Sequence, residues 1–435
     1  MTKYIILFIS SVLCFVTSEG SVEQKKVVVQ RDTVGAKILG RFLDHKIIVD
    51  GNVDLKGCVC VIPPNMLLEV KKGSIRNGIL VGQETKMNYQ GVVFDRITIA
   101  GSWNVPIIRS SMFQNLDYEN SLKNVMTLAS PKVQNKIIIE RGIYRVAATS
   151  QDDRCLTVCS NTEVIINGTI SLSPNNLSHY KIIHITGKNI SIRGNGCIEG
   201  DKSSHTGVQG EWGMGINIWS GKQINISGIT VKDCWGDCVY IGGCSKDVTI
   251  TNCKLDKGRR QGVSITNADG IIIKDCMITN VGGTAPEYAI DLEPNKGDVV
   301  TKIVIERVEV KDCEGGFLAT KPSVKKDTLN SSRIGDVVIK NCKIAVLSKY
   351  PLNLKDCEYS TVEGCTIVST NGLPAVYMRN VNKAVVRNNT IMFKKTIAGS
   401  VKEYMRKAFG KNEHKPITII RSKMQVVTNN KLIEL

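Results

Sequence analysis

Apolar and polar residues alternate along much of this chain, in short runs that turn residues separate. From about residue 182 the runs are rich in Ile, Val and Thr and have a period of two. This period predicts β-strands, because an amphipathic helix would repeat about every 3.6 residues. One of these runs recurs at regular intervals. In each copy, the final residue comes directly after a polar residue or a glycine. Its final residues are Ile229, Cys253, Cys276, Cys342, Cys365 and Asn389.

These final residues define a structural repeat. Their successive spacings are 24, 23, 23 and 24 residues, and Val308 falls within the longer interval between Cys276 and Cys342. A constant interval of this length predicts coils stacked about 4.8 Å apart, each burying an inward row of side chains against its neighbour. The pattern therefore predicts an all-β solenoid, a parallel β-helix, with regular coils from about residue 160 to 393.

Strands interrupted by Gly and Asn extend this architecture toward the N-terminus. The alternating segments are 50–62, 67–82 and 96–105. We therefore predict one domain over residues 19–435. A polar stretch at 117–136 predicts a short helical insertion, and 394–411 predicts a helix within a capping segment, 394–435, that would cover the edge of the last coil.

The first residues have the composition of a signal peptide. Lys3 precedes a short apolar run at 4–16, and small residues follow it, so residues 1–18 are predicted to be removed. The run is shorter than the roughly 20 apolar residues of a transmembrane helix, and no longer run follows. We expect a secreted, periplasmic or cell-surface protein with no membrane span. Cys14 leaves a lipid anchor open.

Charge and cysteine usage narrow the range of partners and of covalent links. The formal net charge of +17 favours anionic partners, although a solvated basic surface would have the same charge. No zinc-finger, basic-zipper or aromatic RNA-binding pattern accompanies it, so we expect no nucleic-acid partner. Along a strand, Cys155 and Cys159 would lie roughly 13 Å apart, beyond the roughly 7 Å that a disulfide spans. The cysteines are therefore predicted to be buried thiols.

The alternation also predicts which side chains leave the core. The inward pairs on successive first strands are Ile183 with Ile185, Ile216 with Ile218, Val239 with Ile241, Val263 with Ile265, and Ile290 with Leu292. The side chains between them must point outward. The predicted outward columns are His184, Asn217, Tyr240, Ser264 and Asp291; Trp219, Gly242, Thr266 and Glu293; and Met214, Asp237, Gln261 and Tyr288.

This outward face is rich in side chains that bind sugars. The predicted binding residues are Glu211, Trp212, Trp219, Trp235, Tyr240, Arg259, Arg260, Gln261, Tyr288 and Lys321. Aromatic rings stack on the apolar faces of sugar rings, while carboxylates and guanidinium groups bind hydroxyls or uronate carboxylates. A polysaccharide, including an anionic one, is the predicted partner. The alternative is an ordinary polar surface on which some tryptophans cover the core.

Four segments carry a resemblance to known proteins. They are Glu211-Trp-Gly-Met-Gly-Ile, Cys234-Trp-Gly-Asp-Cys-Val-Tyr-Ile-Gly, Gly258-Arg-Arg-Gln-Gly-Val-Ser-Ile and Gly283-Thr-Ala-Pro-Glu-Tyr-Ala-Ile-Asp-Leu-Glu-Pro. They resemble right-handed parallel β-helix proteins of the pectin-lyase-like superfamily, of the kind found in Bacteroidota and in phage tailspike-like proteins. The resemblance spans almost the whole mature chain. It implies a right-handed coil and says little about the reaction.

A more distant similarity is to polygalacturonase-type glycoside hydrolases. Their active strands carry Asn-Thr-Asp, Gly-Asp-Asp-Cys, Gly-His-Gly and Arg-Ile-Lys, and here Gly236-Asp237-Cys238 matches the second motif. Elsewhere the chain departs from the pattern. Met214 replaces the first aspartate, Gly236 the paired aspartate, Gln261 the histidine, and Asp291 and Glu293 the arginine and lysine. The resemblance thus implies a glycan-active fold with a different catalytic set.

The candidate catalytic residues are Asp237, Asp291 and Glu293. The last two project from one face about 6.6 Å apart at the backbone, close enough for one to stay protonated and act as a general acid. Carboxyl separations of roughly 5 to 5.5 Å in retaining enzymes and roughly 6.5 to 9.5 Å in inverting ones leave both outcomes open. An ion-pair network with Arg259 and Arg260 is the structural alternative.

We therefore expect a polysaccharide-active enzyme, a glycoside hydrolase acting on an acidic or partly acidic glycan, without a cofactor. Two alternatives stay open. In a polysaccharide lyase, Ca²⁺ near Asp237 would acidify a uronate, and Arg259, Arg260 or Lys321 would take the proton. A non-catalytic glycan-binding or tailspike-like adhesin would keep the aromatic and basic side chains but would tolerate loss of the carboxylates.

Overall fold

The structure is a computed structural model. It describes residues 46–62, 64–114, 121–322, 332–394 and 415–435, and the backbone of the strands Leu7–Ile9, Val12–Cys14, Lys25–Val29 and Ile38–Leu43. The predicted signal peptide lies mostly outside the described residues, and the helix predicted at 394–411 lies outside them after its first residue. No helix in the described part of the chain is long and apolar enough to cross a membrane.

The chain forms two compact units, and the expectation of a single domain stays a prediction. Unit 1 consists of Met1–Ala147 and Leu156–Ile170, and unit 2 of Ala148–Cys155 and Ser171–Leu435. The strands Arg154–Val158 and Thr169–Leu172 each contain residues of both units.

In the part of unit 1 that the structure describes, strands that are mostly parallel occur with a short α-helix; the strand pairs before residue 48 are antiparallel. Its strands beyond residue 45 are Lys46–Asp50, Val53–Asp54, Val59–Val61, Leu67–Lys72, Ile75–Tyr89, Phe94–Asn104, Ile107–Arg109, Asn135–Ile139, Ile143–Val146 and Thr162–Ile166. A 3₁₀ turn spans Ser110–Met112, and the α-helix Ser121–Thr127 falls within the predicted helical insertion. Asn124 fastens this helix to a strand: its Oδ1 accepts the backbone N–H of Ile99 at 2.9 Å, and its Nδ2 donates to the carbonyl oxygen of Ile97 at 2.8 Å.

Unit 2 winds through three parallel sheets, and its described residues make nine coils with one strand in each sheet. Sheet I comprises His179–Ile185, Trp212–Trp219, Val239–Gly242, Val263–Ile265, Tyr288–Leu292, Gly315–Ala319, Leu352–Lys355, Val376–Arg379 and Ile417–Ile420. Sheet II comprises Lys188–Gly194, Lys222–Ser227, Ser245–Thr251, Ala268–Lys274, Val299–Glu306, Arg333–Lys340, Cys357–Glu363, Lys383–Arg387 and Met424–Thr428. Sheet III comprises Cys197–Glu199, Thr230–Lys232, Lys254–Asp256, Met277–Thr279, Glu309–Cys313, Lys343–Val346, Thr366–Ser369, Thr390–Phe393 and Lys431–Glu434. We number the coils 1 to 9 in this order. The predicted all-β parallel β-helix is confirmed.

The polar step of the repeat forms the turn between sheets II and III. Its first residue adopts a positive φ, 53° at Asn252, 54° at Asp275 and 56° at Asn341. Asn and Asp tolerate this left-handed conformation better than most residues, which explains their recurrence here. The carbonyl oxygens of Cys253 and Cys342 accept backbone hydrogen bonds from the next coil at 3.0 and 2.9 Å. The predicted register of the repeat is therefore confirmed.

Inward side chains fill the core of unit 2. Every inward residue predicted on sheet I is at most 1% exposed. Cys253, Cys276, Cys342 and Cys365 are at most 3% exposed, so their inward placement is also confirmed. The thiols of Cys253 and Cys276 lie 3.8 and 3.6 Å from backbone carbonyl oxygens of the preceding coil. The cysteines thus act as small apolar side chains between coils.

Candidate active site

The outward side chains of sheet I align as predicted, but most of them are not exposed. His184, Asn217, Tyr240, Ser264 and Asp291 are paired neighbours in consecutive strands. Only Tyr240 is half-buried, and the other four are at most 8% exposed. The expected exposure of this column is therefore wrong. Neighbouring side chains of the adjacent coils contribute to this burial, as Gln261 does through its hydrogen bond to Asp291.

Four carboxyl groups surround the guanidinium group of Arg260 on the outward side of sheet I. We call Glu211, Asp237, Arg260, Asp291 and Glu293 the carboxylate cluster. Arg260 Nη1 lies 3.4 Å from Asp237 Oδ2, Nε lies 3.7 Å from Glu211 Oε2, and Nη2 lies 3.8 Å from Glu293 Oε2. The cluster draws these side chains from coils 2 to 5, which span roughly 14 Å at about 4.8 Å per coil. The repeat thus brings together residues that are distant along the chain.

Asp237 lies beneath this arginine and is fully buried. Its Oδ2 accepts a hydrogen bond from Arg260, while its Oδ1 is buried without a hydrogen-bond partner. Burial raises the pKa of Asp237 to about 7, although the charge of Arg260 opposes the shift. This carboxyl group therefore changes between its protonated and ionised forms near neutral pH.

Asp291 is the second fully buried carboxyl group, and Gln261 determines its orientation. Gln261 Nε2 donates to Asp291 Oδ2 at 2.6 Å, and Gln261 Oε1 accepts the backbone N–H of Tyr288 at 3.0 Å. Burial raises the pKa of Asp291 well above its ordinary value, and the charge of Glu293 and a hydrogen bond between the two carboxyl groups raise it further. Asp291 therefore keeps its proton to a higher pH than an ordinary aspartate does, and its Oδ1 has no hydrogen-bond partner among the described residues.

Glu211 and Glu293 are the members of the carboxylate cluster that solvent reaches. Their side chains are 33% and 40% exposed, whereas that of Arg260 is 14% exposed. A ligand on sheet I would meet these two carboxylates before it met Asp237 or Asp291. Glu211, predicted to bind substrate, lies at the surface of the cluster, whereas Asp291, which was predicted to be exposed, lies beneath it.

Two aromatic side chains form a platform beside the cluster. The rings of Trp219 and Tyr240 are stacked with centroids 6.5 Å apart and planes 10° apart. Trp219 is 48% exposed, as is Trp212 at the start of the same strand. Flat, exposed indole rings are suited to stacking on sugar rings. Tyr288, by contrast, is buried, and its hydroxyl accepts a hydrogen bond from Asn353 Nδ2 at 3.4 Å.

The indole ring of Trp235 is covered by two other side chains. The ring of His205 stacks on it with centroids 3.9 Å apart, and the guanidinium carbon of Arg259 lies 3.7 Å from the ring centroid. Both partners come from segments that cover the indole ring, and the predicted binding role of Trp235 stays a prediction. Sequence reasoning did not select His205, since no repeat position marks its segment.

Lys321 follows the sheet I strand of coil 6, whose Ala319 is paired with Leu292 next to Glu293. Its charge acts on Cys357 and Glu358, at the start of sheet II in coil 7. Its predicted role in substrate binding stays a prediction. Among the described residues, no three His, Cys, Asp or Glu side chains are grouped so that they could hold a metal ion.

Comparison with known proteins places this architecture in a family. The family model described as right-handed beta helix region matches residues 155–299 and 328–433. The chain belongs to this right-handed β-helix family. The predicted right-handed parallel β-helix is thereby confirmed. Most of unit 1 lies outside the two matched segments.

Two sequence relatives of this β-helix protein come from Bacillus subtilis strain 168. The chain is 30% identical over 162 residues to the SPbeta prophage-derived uncharacterized protein YorA, which covers 32% of this chain and 28% of that protein. It is 27% identical over 214 residues to the uncharacterized protein YclG, which covers 42% of this chain and 36% of that protein. The chain thus spans about a third of the length of these relatives.

Solved structures that align with this chain include two proteins named for enzymes. The A-module of mannuronan C-5 epimerase AlgE4 from Azotobacter vinelandii aligns with a TM-score of 0.47 and 11% identity, covering 75% of this chain and 99% of that one. A hyperthermoactive exopolygalacturonase from Thermotoga maritima aligns with a TM-score of 0.41 and 11% identity, covering 68% and 89%. At this identity the likeness concerns the fold.

Proposed function

We propose that this β-helix protein is a polysaccharide-active enzyme and that its carboxylate cluster hydrolyses a glycosidic bond. One observation carries the proposal: the cluster holds carboxyl groups in two environments around one arginine. Asp237 and Asp291 are buried with raised pKa values, while Glu211 and Glu293 are reached by solvent. Glycoside hydrolysis needs one protonated carboxyl group and one carboxylate, and unlike environments supply such a pair.

The proton source in this mechanism is the pair Asp291 and Glu293. Burial and the charge of Glu293 raise the pKa of Asp291, so Asp291 keeps its proton to a higher pH than an ordinary aspartate does. Glu293 is the exposed member and would present that proton to the oxygen of the departing sugar. Gln261 keeps Asp291 in place through its 2.6 Å hydrogen bond.

Glu211 would act on the sugar carbon, directly or through a water molecule. Arg260 bridges Glu211 and Glu293 with contacts of 3.7 and 3.8 Å, so both carboxylates flank one position on sheet I. Burial lowers the pKa of Arg260, but the four surrounding carboxyl groups raise it by more. An arginine of this kind is a poor proton acceptor, which favours hydrolysis over elimination.

The platform of Trp219 and Tyr240 supports a glycan as the substrate. It lies on coils 2 and 3, and Glu293 follows the strand of coil 5, so an extended chain crossing the strands would pass from the rings to the carboxylates. The predicted signal peptide supports export, where the enzyme would meet a polysaccharide outside the cytoplasm.

A panel of acidic and neutral polysaccharides tests the proposal, with reducing ends and unsaturated products measured together. Glu293→Gln and Glu211→Gln should each lower the rate at which reducing ends are released by a factor of roughly 10² to 10⁴. Both variants should still bind the polysaccharide. Glu363→Gln is the matched control, because Glu363 is 34% exposed and pairs with Arg387 at 2.9 Å on sheet II. It should keep normal turnover.

The other outcomes identify the alternatives. Unsaturated products would indicate a lyase, and binding without any product would indicate an adhesin. If Glu293→Gln and Glu363→Gln had equal turnover, the carboxylate cluster would have no part in catalysis and the proposal would be wrong.

A further inference from the structure

We propose that Lys202 and Arg259 form an anion-binding subsite beside the carboxylate cluster, and that it binds a carboxylate or sulfate group on the glycan. This inference rests on the proposed glycan-binding function and names the substrate class. Lys202 lies in the segment before the sheet I strand of coil 2, and Arg259 lies in the segment before that of coil 4. The two segments meet at one edge of sheet I.

The two neighbouring arginines have different surroundings. Arg260 contacts three carboxylates of the protein within 4 Å, so its charge is already balanced. Arg259 has no carboxylate within that distance among the described residues, and Glu211 acts on it only from further away. Its Nη1 instead donates to the carbonyl oxygens of Gly210 at 2.8 Å and Trp235 at 3.4 Å. Arg259 is therefore the guanidinium group that can bind an external anion.

Lys202 supplies a second cation at the same edge. Its Nζ donates to the carbonyl oxygen of Gly282 at 2.9 Å, and the next residue, Gly283, packs against Arg259. A Cβ atom at Gly283 would lie 3.4 Å from Cγ of Arg259, and its φ of +126° also favours glycine. Both cations thus contact the turn at Gly282 and Gly283.

The local charge balance favours an added anion. Burial lowers the pKa of Lys202, and the charges of Arg259 and Lys257 lower it further, whereas Asp233 opposes the shift. Glu287 is a second acidic group that interacts with Lys202. No carboxylate of the described residues reaches Lys202 within 4 Å. Repulsion between these cations would decrease when an anion binds between them.

The subsite is also rigid before any ligand binds. Arg259 lies on the ring of Trp235, whose other face stacks on His205. His205 Nδ1 lies 2.8 Å from Asp201 Oδ2, and Asp201 Oδ1 accepts a hydrogen bond from the hydroxyl of Tyr180 at 2.7 Å. A guanidinium group held in this way loses little freedom on binding, and its planar fork matches a carboxylate or sulfate.

Binding of the full chain to two matched pairs of polymers tests the subsite. Polygalacturonate and its methyl ester differ by a carboxylate, and dextran sulfate and dextran differ by a sulfate. We expect the charged member of at least one pair to bind more tightly. Arg259→Gln and Lys202→Gln should each weaken that binding about tenfold, as expected for the loss of one charge-assisted hydrogen bond. Lys246→Gln, an exposed lysine on sheet II, is the control and should change nothing.

The readout separates this proposal from the proposed reaction. Equal binding of the charged and neutral members, or an equal loss in Lys246→Gln, would overturn the subsite. Retained charge discrimination without any hydrolysis would instead contradict the catalytic proposal. If Arg259→Gln failed to unfold cooperatively with heat, Lys202→Gln alone would decide the matter.

Discussion

Asp237 allows a direct test of the buried carboxyl group. Asp237→Asn keeps the size of the side chain and removes its titration, because asparagine resembles the protonated acid. The pKa of Asp237 rises from 3.8 to about 7 on folding. The unfolded chain therefore ionises this group well before the folded protein does. Stability that is fully present below a pH of about 3.8 is lost as the pH rises through about 7.

The size of this loss follows from the shift. A shift of about three units corresponds to roughly 4 kcal/mol of unfolding free energy, at about 1.36 kcal/mol per unit. Asp237 is fully buried, so solvent does not screen it. Relative to the natural protein, Asp237→Asn should thus gain roughly 4 kcal/mol in stability between about pH 4 and about pH 8. Asp291 titrates in both proteins, so its contribution largely cancels.

Urea unfolding at several pH values measures this difference. Asp256→Asn is a control of opposite sign, because burial raises the pKa of Asp256 but hydrogen bonds from Thr279 and Asn280 lower it by more. The stability that Asp256 contributes is present above its unfolded pKa and is lost as the pH falls through its folded pKa. Asp256→Asn should therefore become less stable than the natural protein as the pH rises. If the free energy of unfolding changed with pH in the same way for the natural protein and for Asp237→Asn, the reasoning would be refuted.

Two further predictions concern the core of the solenoid. Cys253 and Cys276 should be alkylated as free thiols only after denaturation, and mass spectrometry of a native disulfide between them would contradict the inward register. Asn389→Ala should lower the free energy of unfolding by about 1 to 3 kcal/mol in chemical denaturation, because the buried N–H of Cys365 loses its 2.8 Å acceptor. Asn295→Ala, which removes an exposed 3.1 Å bond to Asp298, should cost much less.

The repeat was predictable from sequence because each strand signals its own inward face. Alternation at Ile290 and Leu292 identifies two core positions without knowledge of any other coil, and both are buried. The spacing from Cys253 to Cys276 then sets the length of one coil, and the hydrogen bond from Met277 N to the carbonyl of Cys253 shows the same register. These are local properties, and stacking repeats them.

The composition of the candidate site depended on the tertiary structure. Sequence identified the carboxyl groups of Asp237 and Asp291 but predicted that Asp291 would be exposed, because alternation shows only that a side chain leaves the core. Whether a segment then folds over that side chain is decided by long-range contacts, such as that of Gln261 with Asp291. The same holds for Arg260, whose three ion pairs join coils that are sequentially distant. The raised pKa values follow from this burial, so only the folded chain could determine them.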